Sequence, residues 1–162
     1  MAALDRNSTR VCLIGAECTG KTTLAARLAG RFAAPWVPEY VREYAERVGR
    51  PLTFDDVDQI AVGQIAIEDA VDASSMLVIL DTDLISTVVY SRHHYGDCPE
   101  WVVAEAQARR ADLYLFTDID MPWTADDVRD SGARREALHA EFALALAAFE
   151  ARVAVIRGDW ES

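Results

Sequence analysis

Cysteine is scarce in this chain: Cys12, Cys18 and Cys98 form no C-x-x-C pair and are too few for a disulfide framework or a cysteine-bound zinc site. Long apolar runs are missing as well. The longest, such as Phe142 to Phe149, fall far short of a bilayer span, and the polar segment Met1 to Arg10 has no apolar signal core. A cytoplasmic protein with no membrane partner is therefore expected. Positive charge is in deficit, with 16 Lys and Arg against 27 Asp and Glu and a formal net charge of −11. That balance argues against holding nucleic acid by phosphate neutralisation and favours a small ligand. No stretch is repetitive, and 162 residues, 51% of them apolar, predict one domain over 1–162. Metal-binding histidine clusters are lacking: His93 and His94 are adjacent, do not face one ion on a helix, and have no third ligand spaced nearby.

What the chain does have is one complete phosphate-binding loop, Gly15-Ala16-Glu17-Cys18-Thr19-Gly20-Lys21-Thr22, which matches G-x-x-x-x-G-K-[ST]. Its glycines let successive backbone amides point at phosphate oxygens, Lys21 reaches the terminal phosphates, and the Thr22 hydroxyl is suited to magnesium. The context agrees. Val11-Cys12-Leu13-Ile14 is an apolar run suited to a buried parallel strand, and Leu24, Ala25, Leu28 and Phe32 follow at helical spacing. The helix amino terminus adds free amides and a partial positive charge where the anion must sit. Cys12 reads as core and Cys18 as a small residue that fits the loop.

Further along, Pro35 and Pro38 bracket a short extended segment, and Glu39 to Ala45 reads as helical. Gly49-Arg50-Pro51 breaks that helix. Thr53-Phe54-Asp55-Asp56 is capping-box-like and opens a helix to about Val71. Met76 to Leu80 is the clearest strand and ends in Asp81-Thr82-Asp83; a carboxylate there is the second signature of a P-loop enzyme. Leu84 to Tyr90 and Pro99 to Arg110 read as helices separated by Arg92 to Asp97, and Leu113 to Phe116 as a buried strand. A long polar segment follows, the centre of an expected lid over about 117–135, then a helix carrying Leu138, Phe142, Ala145 and Phe149, and a last strand from Val153 to Ile156. This alternation predicts an α/β protein: a three-layer P-loop NTPase fold with a mainly parallel sheet of about five strands, helices on both faces, and a lid. Every motif falls at a strand's carboxyl end, where such sheets bind ligands.

Taken together, Gly15 to Thr23, Val37-Pro38-Glu39-Tyr40-Val41-Arg42-Glu43-Tyr44, Asp81-Thr82-Asp83, Tyr95-Gly96 and Asp120-Met121-Pro122-Trp123 with Asp127 and Arg129 resemble the NadR-type ribosylnicotinamide kinase domain, a P-loop nucleoside kinase-like family. Bifunctional members of that family carry adenylyltransferase and DNA-binding portions for which 162 residues leave no room, so the resemblance implies the kinase activity alone. It implies an ATP- and Mg²⁺-dependent phosphotransferase that converts nicotinamide riboside to nicotinamide mononucleotide, with a small-molecule nucleoside as partner and the oligomeric state left open. A kinase of another nucleoside or small metabolite is the alternative on the same scaffold. A nucleotide-dependent regulatory ATPase is the other, although the chain has no Asn-Lys-x-Asp element of a guanine-reading switch.

Roles follow from what phosphoryl transfer needs, namely positioning and charge neutralisation. Gly15, Ala16, Glu17, Cys18, Thr19, Gly20, Lys21, Thr22 and Thr23 are expected to hold ATP phosphates, with Thr22 and Asp81 organising the metal. The acceptor hydroxyl needs a carboxylate; Asp83 is the first choice and Glu39 the second, unless one of them caps a helix or pairs with Arg42. Asp81 and Asp83 are expected to point the same way in an extended segment. Arg129 in the lid is the candidate for offsetting transferred charge, whereas Arg134 and Arg135 read as a solvated helix start. Tyr40, Tyr95 and Trp123 are the aromatic candidates for contact with a cationic ring, with Tyr90 behind them. Arg42 either touches substrate or pairs with Glu46.

Overall fold

The computed structural model describes residues 7–17, 19–119 and 132–158. Five apolar segments form one all-parallel sheet: β1 (Thr9–Ile14), β2 (Trp36–Val37), β3 (Leu77–Asp81), β4 (Leu113–Thr117) and β5 (Val153–Ile156), in the spatial order β2-β3-β1-β4-β5. The helices between them are α1 (Lys21–Phe32), α2 (Tyr40–Val48), α3 (Val57–Asp69), α4 (Leu84–Tyr95), α5 (Glu100–Ala108) and α6 (Gly132–Ala148). The three central strands are near-continuous apolar runs because both of their faces are covered. Leu13 and Ile79 turn to one face, where Ala25 and Ala29 of α1 pack on them. Cys12, Ile14, Val78, Leu80, Tyr114 and Phe116 turn to the other, against α3, α4, α5 and α6. The outermost β5 alternates instead, leaving Val153 and Val155 exposed.

Three local outcomes bear on the site. Strand β2 pairs over two residues only, because Pro35 and Pro38 on either side have no N–H to give a ladder. At Thr53 the box forms: the Asp56 carboxylate accepts from the Thr53 N–H at 2.8 Å, starting a 3₁₀ turn, Phe54–Asp56, that runs into α3. The same carboxylate accepts from both terminal nitrogens of Arg50 at 2.8 and 2.9 Å and from the Tyr44 hydroxyl at 2.7 Å, which holds its pKa far below the usual range. Helix α4, by contrast, does not stop at Tyr90. It continues to Tyr95, because nothing from Ser91 to His94 breaks it and the terminating residue is Gly96, whose N–H reaches Arg92 O at 2.9 Å. The supposed connector histidines therefore ride on the helix, with His94 stacked on Tyr90 one turn earlier at 5.9 Å.

At the amino-terminal end of the strands an ion cluster ties the layers together: the buried Glu68 lies 3.4 Å from Arg10 and 3.7 Å from Arg109, and Arg109 lies 2.5 Å from the exposed Asp69. The carboxyl-terminal end is left for ligands.

Candidate active site

The phosphate loop leaves β1 at Gly15, whose φ of +148° favours glycine and whose close approach to β4 admits no side chain: a Cβ there would lie 2.5 Å from Thr117 Oγ1. Beyond it the loop is tied to the sheet by hydroxyls. Thr19 Oγ1 donates to Ala16 O at 2.9 Å and lies 2.6 Å from Thr117 Oγ1, so β4 buttresses the arch from behind. Lys21, the first residue of α1, reaches back inside the arch and donates to Ala16 O at 2.7 Å. Burial pushes its pKa down, against the opposing pull of the carboxylates of Glu39, Asp81 and Glu17. Thr22 Oγ1 donates to Asp81 Oδ2 at 2.7 Å, which joins the loop to β3. Asp81 is itself buried, and its Oδ1 has no hydrogen-bond partner among the described residues. Thr23 is exposed on the first turn of α1, Glu17 is exposed on the loop, and Cys18 lies outside the described residues.

From the loop a cavity of about 410 Å³ runs between α2, α3 and α4. Gly15, Glu17 and Lys21 form its phosphate end, and Glu39 and Arg42 flank it from the start of α2. Glu39 follows β2 directly, and its side chain is 14% exposed. Burial raises its pKa above the ordinary glutamate value, with Lys21 and Arg42 opposing and Asp81 reinforcing. Arg42 pairs with Glu39 at 3.1 Å rather than with Glu46, the pairing that the sequence offers as an alternative role for Glu39, and it also lines the cavity. Farther in, Tyr90, His94 and Tyr95 line the wall, with Tyr90 packed edge-on against Phe142 and Tyr95 edge-on against Phe54.

Asp83 is the principal correction. It is 4% exposed and outside the cavity wall: Oδ1 accepts from the Ile85 N–H at 3.0 Å as the cap of α4, and Oδ2 accepts from the buried Tyr114 hydroxyl at 2.5 Å. Both oxygens are committed away from the acceptor space. The alternation that should have set Asp81 and Asp83 side by side fails because Thr82 between them has φ +68°, a left-handed turn that rotates the following side chain off the strand's pattern. Tyr40 moves out of the site too. Its ring lies over Gly63, where any Cβ would overlap it, and its hydroxyl accepts from Arg47 at 3.0 Å. Arg129, Trp123 and the core of the expected lid lie outside the described residues; Arg134 and Arg135 fall on the first turns of α6.

Two buried polar residues of the wall, each with an atom left unpartnered among the described residues, escaped the sequence reading. Gln64 is 3% exposed; its Oε1 accepts from the Tyr40 N–H at 3.2 Å, which turns Nε2 away from that bond. A signal existed, since Gln64 is a lone amide on the buried stripe Val57, Ile60, Ala61, Gln64. Thr82 is the other, and nothing in a sequence marks a left-handed threonine.

Among known proteins, an AAA-domain family model matches residues 10–162. The trifunctional NAD biosynthesis/regulator proteins NadR of Salmonella typhimurium and Escherichia coli are each 31% identical over 128 residues, covering 76% of this chain and 31% of their own. The chain thus spans under a third of the length of these relatives. A crystal structure of NadR protein in complex with NR aligns with a TM-score of 0.74 at 29% identity, covering 94% of this chain and 46% of that one. Thymidylate kinase from Ehrlichia chaffeensis aligns with a TM-score of 0.68 at 15% identity over 94% of this chain and 89% of that one, a likeness of fold alone.

Proposed function

The chain belongs to the AAA-domain family of P-loop proteins, and on that premise we propose that it is an ATP-dependent kinase that phosphorylates a ribose hydroxyl of nicotinamide riboside, giving nicotinamide mononucleotide and ADP. The observation that carries this reading is the placement of Glu39: a largely buried carboxylate on the wall of one cavity, beside the phosphate loop and Lys21. A nucleotide switch has no use for an acceptor space beside its phosphates. The similarity to NadR supports the nicotinamide riboside assignment, as does a wall with Tyr90 and Tyr95 rings for a cationic ring and Gln64 Nε2 for a carbonyl oxygen.

In the transfer, Glu39 accepts the proton of the acceptor hydroxyl as that oxygen bonds to the terminal phosphorus and the bond to ADP breaks. Its raised pKa makes it a stronger base than an exposed glutamate. Lys21 and the loop amides hold the phosphate oxygens and take up their charge. The donor set also fits a magnesium ion: Asp81 keeps one buried oxygen free beside the Thr22 hydroxyl, an oxygen pair of the kind Mg²⁺ takes together with waters. Magnesium bound there would neutralise charge on the phosphates. Among the described residues no helix is long and apolar enough to cross a membrane, and a cytoplasmic location belongs to the same proposal.

Incubating the purified chain with ATP, Mg²⁺ and a nucleoside panel, with ADP and phosphorylated product both quantified, tests the reading. Stoichiometric nicotinamide mononucleotide and ADP are expected. Good turnover of another nucleoside with none of nicotinamide riboside would overturn the substrate, and phosphate release without any acceptor product would overturn the kinase.

A further inference from the structure

We propose that Thr82 touches the acceptor, donating its hydroxyl hydrogen to the alcohol oxygen that receives the phosphoryl group; this rests on the kinase reading above. Thr82 is 4% exposed, lines the cavity with Gly15, Lys21 and Glu39, and its Oγ1 has no hydrogen-bond partner among the described residues. A buried hydroxyl without a partner is uncommon, and one on a cavity wall at the phosphate end is placed for a ligand oxygen. The backbone gives an independent indication. Among the described residues three non-glycine residues have positive φ; Ala33 and Glu150 are exposed residues at helix ends, where such geometry is ordinary, whereas Thr82 is buried and β-branched.

Glycine would take that conformation freely, and the Thr82 N–H that continues the ladder to Leu13 O at 2.9 Å would be the same in glycine. The threonine therefore adds only its side chain, in a conformation that works against it. Strain of that kind is characteristic of groups held for a ligand. Its neighbours explain the division of space: Asp81 is drawn to Thr22 on one side, Asp83 to Tyr114 beneath, and the residue between them is left facing the acceptor. With Thr82 donating to the alcohol oxygen, that alcohol's own hydrogen is free for Glu39, so the two residues together orient the nucleophile without competing for one proton.

The test compares Thr82→Val, Thr82→Ser and Thr82→Gly with the wild type in steady state, with nucleotide binding and thermal melting measured on each. Thr82→Val and Thr82→Gly are expected to lose about tenfold or more in kcat/KM for the acceptor, with ATP affinity within about twofold. Thr82→Ser is expected within about threefold of wild type, and Thr82→Gly should melt no lower than wild type, so the comparison survives if valine is not tolerated. Wild-type activity in both Thr82→Gly and Thr82→Val, or an equal loss in Thr82→Ser, would overturn the proposal while leaving the kinase reading in place. Absence of any alcohol phosphorylation by the wild type would instead overturn both.

Discussion

Replacing Asp83 with asparagine isolates the part that this carboxyl plays. Burial raises its pKa from 3.8 to about 6, and about two units correspond to about 3 kcal/mol of differential stabilisation between protonated and ionised forms. A carboxyl whose folded pKa lies above its unfolded value binds its proton more tightly in the fold. With respect to Asp83 the fold is therefore most stable below pH 3.8, loses stability as pH rises toward 6, and has lost it all above that. Asparagine does not titrate. It resembles the protonated carboxyl, with one carbonyl acceptor, while the bonds from Ile85 N–H and Tyr114 O–H to the ionised form are already included in the net shift. The wild type alone therefore loses stability as its buried carboxyl ionises. Urea unfolding of both proteins at intervals from about pH 4 to pH 7.5 should show Asp83→Asn close to wild type at the acid end and the more stable at pH 7, a swing of about 3 kcal/mol. Every other titrating group is shared and cancels. Turnover at pH 7.5 should stay within about threefold. Parallel stability curves would refute the assigned environment, and a turnover loss of about a hundredfold in a folded variant would return Asp83 to the chemistry.

Other perturbations test the rest of the site. Lys21→Ala should cut turnover by about 10²–10³ with the circular dichroism spectrum unchanged, as expected for a charge placed on transferring phosphate. Glu39→Gln should cost about 10²–10⁴ in turnover. In the wild type, because burial raises the Glu39 pKa and the base must be ionised, kcat/KM should climb with pH through a limb lying above the ordinary value of 4.5, and the residual Gln activity should lack that limb. Gly63→Ala sets a methyl into the Tyr40 ring; overpacking of about 1–3 kcal/mol exceeds a helix-propensity gain of up to about 1 kcal/mol, so the melting temperature should fall. A rise would show that Tyr40 has room to move.

The fold is largely legible in the chain because its signals are local. A buried parallel strand is a short apolar run, the phosphate loop is a glycine pattern between such a run and a helical one, and both kinds of signal are complete within a dozen or so residues. What misleads is equally specific. Two prolines make β2 look shorter in pairing than in sequence, and α4 outlasts its apolar stripe because Gly96, rather than the histidines before it, supplies the left-handed stop. Gln64 is half legible for a different reason. The apolar stripe of α3 marks its position, but what its amide bonds is not set until α2 is packed on α3 and the Tyr40 N–H claims its oxygen.

The site is legible up to the point where side-chain direction depends on one torsion. Asp81-Thr82-Asp83 contains the right groups at the right end of β3, and a strand's alternation would put both carboxylates beside the phosphates. Two uncompensated carboxylates there would raise each other's pKa and face the anionic donor together, which is a poor arrangement for holding triphosphate. The left-handed turn at Thr82 resolves this by sending one carboxylate to Thr22, where a cation suits it, and burying the other on Tyr114 as a helix cap. On the proposed kinase reading the base then comes from a different strand. Glu39 can serve because β2 lies next to β3 in the sheet order, so the carboxylate that follows β2 enters the acceptor space from the side while Asp81 stays with the donor. One residue's φ thus separates the donor half of the site from the acceptor half.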